Sequence, residues 1–455
     1  MDRETGDGST ADDGARTGVL TSTPIDPGET GLPGEQARQN GYLSARHVAQ
    51  FVGGRAVAAL GDQFLLFAIP LLAYKITGSA SKSGLIFFVE WLPRILFMPI
   101  AGVLADRIRG YFLFVGSDGV RAALALAAFG LMYAVPGGQF AVLCVLVAGM
   151  ALANAQSYIA LESSLPRFVP MEQMVRAQSV VQGTEQTSEV LGPVLAALLS
   201  AVLPTRDMLL VIGAVYALTT LNIFVLRPHL RAEVVAGEGE PTTLRSIGAG
   251  VLDGARTLRS LPAIIGLAGL TMTVNLMVGV GMSTSAAITS GTFHKSDRYF
   301  GVLTTAAGVV GILTSFVVPK LAKRLNPMAA LAISYGMICL GGIGISQSAN
   351  FPEFAVSYSL LIGSIGFFNV FIRMERVKRI PREHFAKTIA IIILLNQISL
   401  PVAGLLVTVF ATAHDPRTVS LGSAVGSVCI AVLLIPLLIQ LRYHHAHPGS
   451  APDHR

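Results

Sequence analysis

Charged residues are scarce in this sequence. They make up 13% of its 455 residues, and 52% of the residues are hydrophobic. Soluble domains carry roughly 25% charged residues, so an ordinary soluble fold is excluded. Cysteine is also scarce: Cys144, Cys339 and Cys429 all fall inside apolar stretches, where they act as small hydrophobic side chains and not as a disulfide framework.

The sequence also lacks the short motifs that mark common enzymes. It has no Gly-x-x-x-x-Gly-Lys-Ser phosphate loop, no Gly-x-Ser-x-Gly elbow and no His-Glu-x-x-His metal site. No ligand set is completed around His444, His445, His447 and His454 near the C-terminus, so a solvated tail is favoured over a metal site. We therefore expect no enzyme, no cofactor and no bound metal, and a protein driven by ion gradients instead of ATP.

Long apolar runs dominate the rest of the chain. Twelve runs have the length of about 20 residues that a helix needs to cross a bilayer. The predicted fold is therefore an all-α membrane protein with twelve transmembrane helices. The predicted spans are residues 46–74, 83–105, 112–134, 139–162, 176–203, 207–226, 262–290, 299–318, 327–347, 351–373, 386–412 and 416–441.

The two ends of the chain are polar. Residues 1–40 hold eight acidic and three basic residues, and they lack an apolar core behind a basic start. This composition predicts a disordered acidic tail and not a signal peptide. Lys and Arg are concentrated in one set of alternate loops, which predicts that both termini, including the tail at 442–455, are cytoplasmic. Because these basic residues are spread over many loops, no nucleic-acid partner is expected.

A polar connector divides the chain into two bundles of six spans, residues 46–226 and 262–441. The connector occupies 227–261, and the spacing of apolar residues after Leu244 predicts a helix in the cytoplasmic interface; an early start of span seven is the alternative. The segments GVLADR and PKLAKR follow the second span of each half, 217 residues apart. This repeat indicates an internal duplication, which is common in transporters.

The loop after span two carries Gly102, Leu104, Asp106 and Arg107. This pattern resembles the loop signature of the major facilitator superfamily, although Arg109 stands where that family has glycine. The resemblance covers roughly residues 46–441 and implies a fold of two pseudo-symmetric six-helix bundles. It also implies that Gly102, Asp106 and Arg107 form a conformational latch, with Asp106 pairing near the start of span eleven.

A second family-like motif lies in span five. Antiporters of this superfamily have a Gly-Pro motif with small neighbours there, and this chain has Gly192 and Pro193 with Ser188, Ala196 and Ala197 around them. Together with LGDQFLLFAIPLLAYKITGS and LPRILFMPIAGVLADR, it resembles the bacterial efflux branch of macrolide efflux pumps and enterobactin-type siderophore exporters. The arginine that this family has in span four has no counterpart here.

Span five also carries a polar face. Gln182, Glu185, Gln186 and Glu189 fall on one stripe of the helix at about 100° per residue. An ionised group facing lipid costs about 2.5–3.5 kcal/mol or more, so this face is expected to line a protein interior or a water-filled cavity. Two interpretations stay open: Glu185 and Glu189 carry protons, or they belong to a fixed polar network that joins helices.

Two further charged pairs lie in the first two spans. Arg55 and Asp62 share a face of span one but are about 10 Å apart along the axis, so their partners must come from other helices. Asp62 is a third candidate for proton coupling, with structural pairing as the alternative. In span two, Glu90 and Arg94 have the i, i+4 spacing of an ion pair.

Other polar and aromatic side chains are candidates for binding substrate. Most lie in the middle of apolar spans, where a polar group needs a partner or a cavity. The candidates are Gln182, Gln186, Asn154, Tyr158, Asn275, Asn396, Gln397 and Trp91.

These patterns lead to one preferred function. We expect a monomeric secondary transporter in the cytoplasmic membrane that exports an amphiphilic small molecule, such as a siderophore or an antibiotic-like metabolite, by proton antiport with alternating access. Its expected partners are that molecule, protons and membrane lipids. A lysolipid flippase on the same fold is the alternative, and a membrane scaffold without transport is a third, weaker one.

Overall fold

The protein is described from a computed structural model, which covers residues 44–169, 171–230, 244–322, 326–380, 385–412 and 415–446. Fourteen α-helices occur in these ranges. The acidic tail predicted for residues 1–40 lies outside the described residues, as does the part of the predicted connector at 231–243. The helices are α1 Ala45–Thr77, α2 Ala80–Arg107, α3 Gly110–Ala134, α4 Gln139–Phe168, α5 Met171–Val202, α6 Met208–Leu230, α7 Leu244–Arg259, α8 Pro262–Ala287, α9 Asp297–Ala322, α10 Pro327–Gln347, α11 Phe351–Gly363, α12 Ile365–Arg379, α13 Phe385–Phe410 and α14 Pro416–Ala446.

Several helix boundaries follow from local sequence. Helix α1 ends at Gly78, whose φ of 63° is a left-handed conformation that glycine adopts at little cost. Helices α10 and α11 begin after Asn326 and Asn350, whose side chains accept hydrogen bonds from backbone N–H groups of the first turn. Both helices also have proline at one of their first two positions, where its missing N–H costs nothing.

The all-α membrane fold predicted from hydropathy is confirmed. Ten helical segments are long and apolar enough to cross a membrane within the described residues. Helices α5 and α9 are also long enough, with 32 and 26 residues, and adding them to these ten segments is consistent with the predicted twelve spans. The tenth span consists of α11 and α12, which meet at Ser364, and a π-helical turn at Ile288–Thr292 extends α8.

Helix α7 is separate from the membrane spans. It ends at Arg259, and α8 begins at Pro262, so α7 is not an early start of the seventh span. It packs against α13 and α2. Its placement in the membrane interface stays a prediction.

The helices pack as two bundles that meet along two seams. Helix α3 lies between α4 and α6 in the first bundle, and α8 packs on α14 and α13 in the second. The bundles contact each other mainly through α2 with α13 and through α5 with α9. A space between two such seams is where ligands bind in proteins built from helical bundles.

The α2–α13 seam depends on two glycines. A Cβ atom added to Gly84 would lie 2.7 Å from the backbone oxygen of Gly404, and one added to Gly404 would lie 2.6 Å from the backbone nitrogen of Phe88. Small residues let helices in a bilayer approach this closely. Nearby, the Ser81 hydroxyl donates a hydrogen bond to the Thr408 carbonyl at 2.6 Å.

Candidate functional site

A cavity of about 820 Å³ lies between the two bundles. Its walls come from α1, α2 and α5 on one side and from α8, α9, α11 and α12 on the other. Four aromatic residues are among those that line it: Phe67, Phe87, Phe300 and Tyr358. Pockets for small organic molecules have volumes of roughly 300–1,000 Å³ and mostly apolar walls, so this cavity suits such a ligand.

A few polar groups reach the same cavity, and Glu90 of α2 is the acidic one within the described lining. Gln63 lies beside it on α1, while Asn369 and Arg373 belong to α12. The predicted direct ion pair between Glu90 and Arg94 is not formed among the described side chains, although the two charges still attract each other. The guanidinium of Arg94 lies instead over the ring of Trp91, 5.0 Å from its centroid.

Four charged side chains meet inside the first bundle and form the buried charge cluster: Arg55, Asp62, Asp118 and Arg121. Arg55 Nη1 lies 3.1 Å from Asp118 Oδ2. Arg121 Nη1 lies 3.5 Å from Asp62 Oδ1 and 3.6 Å from Asp118 Oδ1. Two cations and two anions are thus held together, which keeps the cluster neutral in a region where an unpaired charge is costly.

The two carboxylates of the cluster differ in exposure. The side chain of Asp118 is fully buried at 0% exposure, whereas that of Asp62 is 29% exposed. Asp62 Oδ1 accepts hydrogen bonds from Tyr216 Oη at 2.7 Å and from Asn154 Nδ2 at 3.0 Å. Asp118 is therefore buried between two arginines, whereas Asp62 is the more exposed carboxylate of the cluster.

The sequence patterns indicated only half of this cluster. The expectation that Arg55 and Asp62 find partners on other helices is confirmed, since their ionic partners Asp118 and Arg121 lie on α3. Asp118 and Arg121 themselves were missed. A signal was present, because two opposite charges at i, i+3 inside an apolar span mark an intramembrane site by default.

Six of the predicted substrate-binding residues are not among the described residues that line this cavity. The amide groups of Asn154 and Asn275 join helices: Asn154 binds Asp62, and Asn275 Nδ2 donates to the Asn396 carbonyl at 3.1 Å. In this structure these amides therefore stabilise the bundles. The residues outside the described lining of the cavity are Asn154, Tyr158, Asn275, Asn396, Gln397 and Trp91.

Several predictions for α5 and for the latch fall on side chains outside the described set, namely Gln182, Gln186, Glu189, Pro193 and Asp106. Glu185 is half-buried, and Gly102 and Arg107 lie at the end of α2. Gly192 is buried against α1, where an added Cβ would lie 2.2 Å from the Cβ of Gln63. The small residue at this position therefore lets α5 contact α1 closely.

One end of the cavity is closed by contacts between the bundles. This end holds the α1–α2 and α5–α6 loops and is termed the outer end, because the distribution of Lys and Arg predicts that it faces away from the cytoplasm. Lys75 forms an ion pair with Asp297, and Thr205 Oγ1 lies 2.8 Å from both Lys75 Nζ and Asp297 Oδ2. Below them, the rings of Phe67 and Phe300 lie 5.0 Å apart.

Removing the ion pair between Lys75 and Asp297 should make the outer end of the cavity open more often. We expect Lys75→Met and Asp297→Asn each to raise outer access to the cavity about two- to fivefold, since a partly exposed ion pair contributes about 0.2–1 kcal/mol. The measurement is the labelling rate of a Thr304→Cys probe by an impermeant maleimide added from outside, in a background with Cys144, Cys339 and Cys429 changed to Ser. The control is Lys82→Met, an exposed lysine at the same end. An unchanged rate in both variants would contradict this role.

The fold and the cavity define a membrane-embedded, multi-pass transporter. Residues 51–374 match the model of the Major Facilitator Superfamily, and the chain belongs to this family. Macrolide efflux protein A of Streptococcus pyogenes is similar to it, with 25% identity over an alignment of 401 residues that covers 86% of this chain and 95% of that protein.

Solved structures share the fold at low identity. A crystal structure of the nucleoside transporter NupG aligns with a TM-score of 0.67 and 14% identity, covering 86% of this chain and 99% of that one. A bacterial homologue of the iron transporter ferroportin, in its inward-facing state, aligns with a TM-score of 0.66 and 17% identity, covering 87% of this chain and all of the other. These likenesses concern the fold alone.

Proposed function

We propose that this transporter exports an amphiphilic small molecule from the cell in exchange for protons. It would act as a monomer in the cytoplasmic membrane with both termini in the cytoplasm, bind its cargo in the cavity between the bundles and need no nucleic-acid partner or cofactor. The similarity to Macrolide efflux protein A favours export of an antibiotic-like metabolite, and a siderophore is the other cargo considered.

The observation that carries proton coupling is the position of Asp62. Its carboxylate lies 3.5 Å from the buried guanidinium of Arg121 and is partly accessible. When Asp62 takes up a proton, its attraction to Arg121 is lost, and Arg121 is left with Asp118 alone on the same helix. The contact between α1 and α3 is thereby weakened, which provides a way for protonation to change the packing of the first bundle. Glu185 and Glu189 of α5 are further candidates for carrying protons.

Neutralising Asp62 should uncouple the transporter. We expect Asp62→Asn to reduce proton-driven uptake of a macrolide such as erythromycin into inverted vesicles by more than about tenfold, because an amide cannot exchange the transported proton. Movement of the macrolide down its own concentration gradient should continue. The readouts are accumulated macrolide and the accompanying change in internal pH.

The matched control is Asp207→Asn, a loop carboxylate that accepts a hydrogen bond from Tyr133 at the outer end. It should leave coupling intact. Full gradient-driven accumulation in Asp62→Asn would remove this residue from the proton path, and the Glu185→Gln, Glu189→Gln double variant would then test α5.

A further inference from the structure

The second bundle contains a buried cation that no carboxylate of the described chain neutralises. Arg376 of α12 is 8% exposed, and its Nη2 atom donates a hydrogen bond to Thr271 Oγ1 of α8 at 3.0 Å. Its Nε atom has no hydrogen-bond partner among the described residues. In the first bundle, by contrast, Arg55 and Arg121 each lie within 3.6 Å of an aspartate oxygen. Because a cation away from water needs a counter-charge, the position of Arg376 calls for an anion that the described chain does not supply.

A second arginine without an anionic partner lies one helical turn earlier on α12. Arg373 is exposed, lines the cavity and forms neither an ion pair nor a hydrogen bond with the described residues. It lies three positions before Arg376 and so on the same side of the helix, and the two positive charges repel each other. The carboxylate of Glu375 pairs elsewhere, with Arg379 at 3.0 Å and with Lys378 at 3.5 Å. The second bundle therefore presents an uncompensated positive charge to the cavity.

The space in front of Arg373 is open. Gly366, Asn369 and Arg373 all line the cavity, and their spacing places them on one face of α12. A Cβ atom added to Gly366 would have no atom within 4 Å. The amide of Asn369 forms no hydrogen bond with the described residues, so its N–H group is available as a donor beside the guanidinium. A guanidinium with a neighbouring amide donor suits the oxygens of a carboxylate or a phosphate.

We propose that this face of α12 binds the carboxylate or phosphate group of an acidic amphiphile, with Arg373 and Asn369 in contact with the anion and the charge of Arg376 behind them. The proposal rests on the proposed export function and extends its cargo to acids. The apolar body of the amphiphile lies in the rest of the cavity. A molecule of the same shape without the acidic group would bind more weakly.

The experiment compares two compounds that differ in one charge. Dansylglycine carries a carboxylate and an apolar aromatic body, and dansylglycinamide replaces the carboxylate with a neutral amide. Binding to the full chain in nanodiscs is measured by equilibrium dialysis, and the uptake of each compound by empty nanodiscs is subtracted. We expect the wild-type protein to bind the acid at least about tenfold more tightly than the amide, because hydrogen bonds to charged groups are the stronger ones.

Substitutions on α12 test which side chain makes this distinction. Arg373→Gln should weaken binding of the acid at least about tenfold and change binding of the amide less than about twofold. Arg373→Lys, which keeps the charge, should retain the preference for the acid. Arg376→Gln should have a smaller effect of about two- to fivefold, because its charge acts from behind the site. The control is Lys378→Gln, which removes one exposed positive charge from the same helix outside the described lining of the cavity.

Three results would overturn the proposal. They are equal binding of the two compounds by wild type, normal binding of the acid by Arg373→Gln, and a loss in Lys378→Gln as large as in Arg373→Gln, which would indicate a general effect of charge. A steric variant tests the location independently of charge. Gly366→Val fills the open space beside Arg373 and should weaken both compounds, whereas unchanged binding of both would place the site elsewhere and would also contradict the proposal.

A competitor identifies the source of the acidic group. Lysophosphatidylglycerol that displaces dansylglycine from wild type, and has no measurable binding to Arg373→Gln, would show that the site accepts a lipid headgroup. Wild type that retains dansylglycine in its presence would show that the site accepts soluble acids alone. Both results support an oxyanion site at Arg373.

This test is separate from that of proton coupling, because it needs no gradient. If only the coupling proposal is wrong, Asp62→Asn accumulates the macrolide normally while Arg373→Gln still loses dansylglycine. If only the anion site is wrong, Arg373→Gln binds dansylglycine like wild type while Asp62→Asn still loses gradient-driven accumulation.

Discussion

Asp118→Ala is expected to destabilise the protein by about 3–5 kcal/mol, the cost of leaving buried ionic partners uncompensated. Asp118 is the anionic partner shared by Arg55 and Arg121, and its side chain is completely buried. Without it, Asp62 alone opposes two cations. This loss is a large part of the total stability of a typical protein, so we expect a lower yield of folded variant than of wild type. Unfolding in SDS or by heat in nanodiscs measures the difference.

A charge-matched variant separates electrostatics from packing. Adding Arg55→Met to Asp118→Ala removes one charge of each sign and leaves Arg121 paired with Asp62. We expect this double variant to be more stable than Asp118→Ala by at least about 1 kcal/mol, because fewer unpaired charges remain buried. Asp207→Ala, in a loop, serves as a surface control. A loss below about 1 kcal/mol in Asp118→Ala would show that the cluster does not stabilise the first bundle.

Gly84→Ala and Gly404→Ala are expected to have the second large effect, because each places a methyl group within 2.7 Å of backbone atoms of the facing helix. Backbone cannot move aside as a flexible side chain can, so α2 and α13 must separate. We expect each substitution to destabilise the packed arrangement of α2 and α13 by about 1–3 kcal/mol, the usual range for overpacking. Transport should fall at least tenfold, and outer labelling of the Thr304→Cys probe should rise.

The matched controls are Gly130→Ala and Gly422→Ala, two helical glycines with no atom within 4 Å of an added Cβ. Alanine is the better helix former by about 0.5–1 kcal/mol, so these controls should be neutral or slightly stabilising. The two pairs therefore differ in the sign of the stability change. Equal behaviour of all four variants would mean that the close seam is not needed.

The helical spans were predictable because their signal is local. The predicted span at 139–162 corresponds to α4 at Gln139–Phe168, and the one at 327–347 coincides with α10. Ends were missed by several residues where a helix continues beyond its apolar part, as α4 does past Glu162. The break at Ser364 was not predicted, since the apolar run continues without interruption across it.

The contacts of the site were less predictable. Charged residues in spans one and two could be identified, but their partners could not. Arg55 and Asp118 are 63 positions apart, and Asp62 and Tyr216 are 154 apart. No periodic pattern in the sequence relates residues that are so far apart along the chain. For the same reason, the sequence predicted Asn275 as a substrate ligand without indicating that its amide donates a hydrogen bond to the backbone of α13.

The sequence alone determined that the chain crosses the membrane as helices, because lipid offers no hydrogen bonds and each apolar run must satisfy its backbone internally. It also determined that charges inside those runs must avoid lipid. Only the tertiary structure decided which charges pair and which face the cavity: Asp62 lies beside Arg121, Asp118 lies beside Arg55, and Glu90 and Arg373 line the cavity. The physical reason is that these contacts depend on how neighbouring helices are rotated and how closely they approach, and both are set by packing between distant segments.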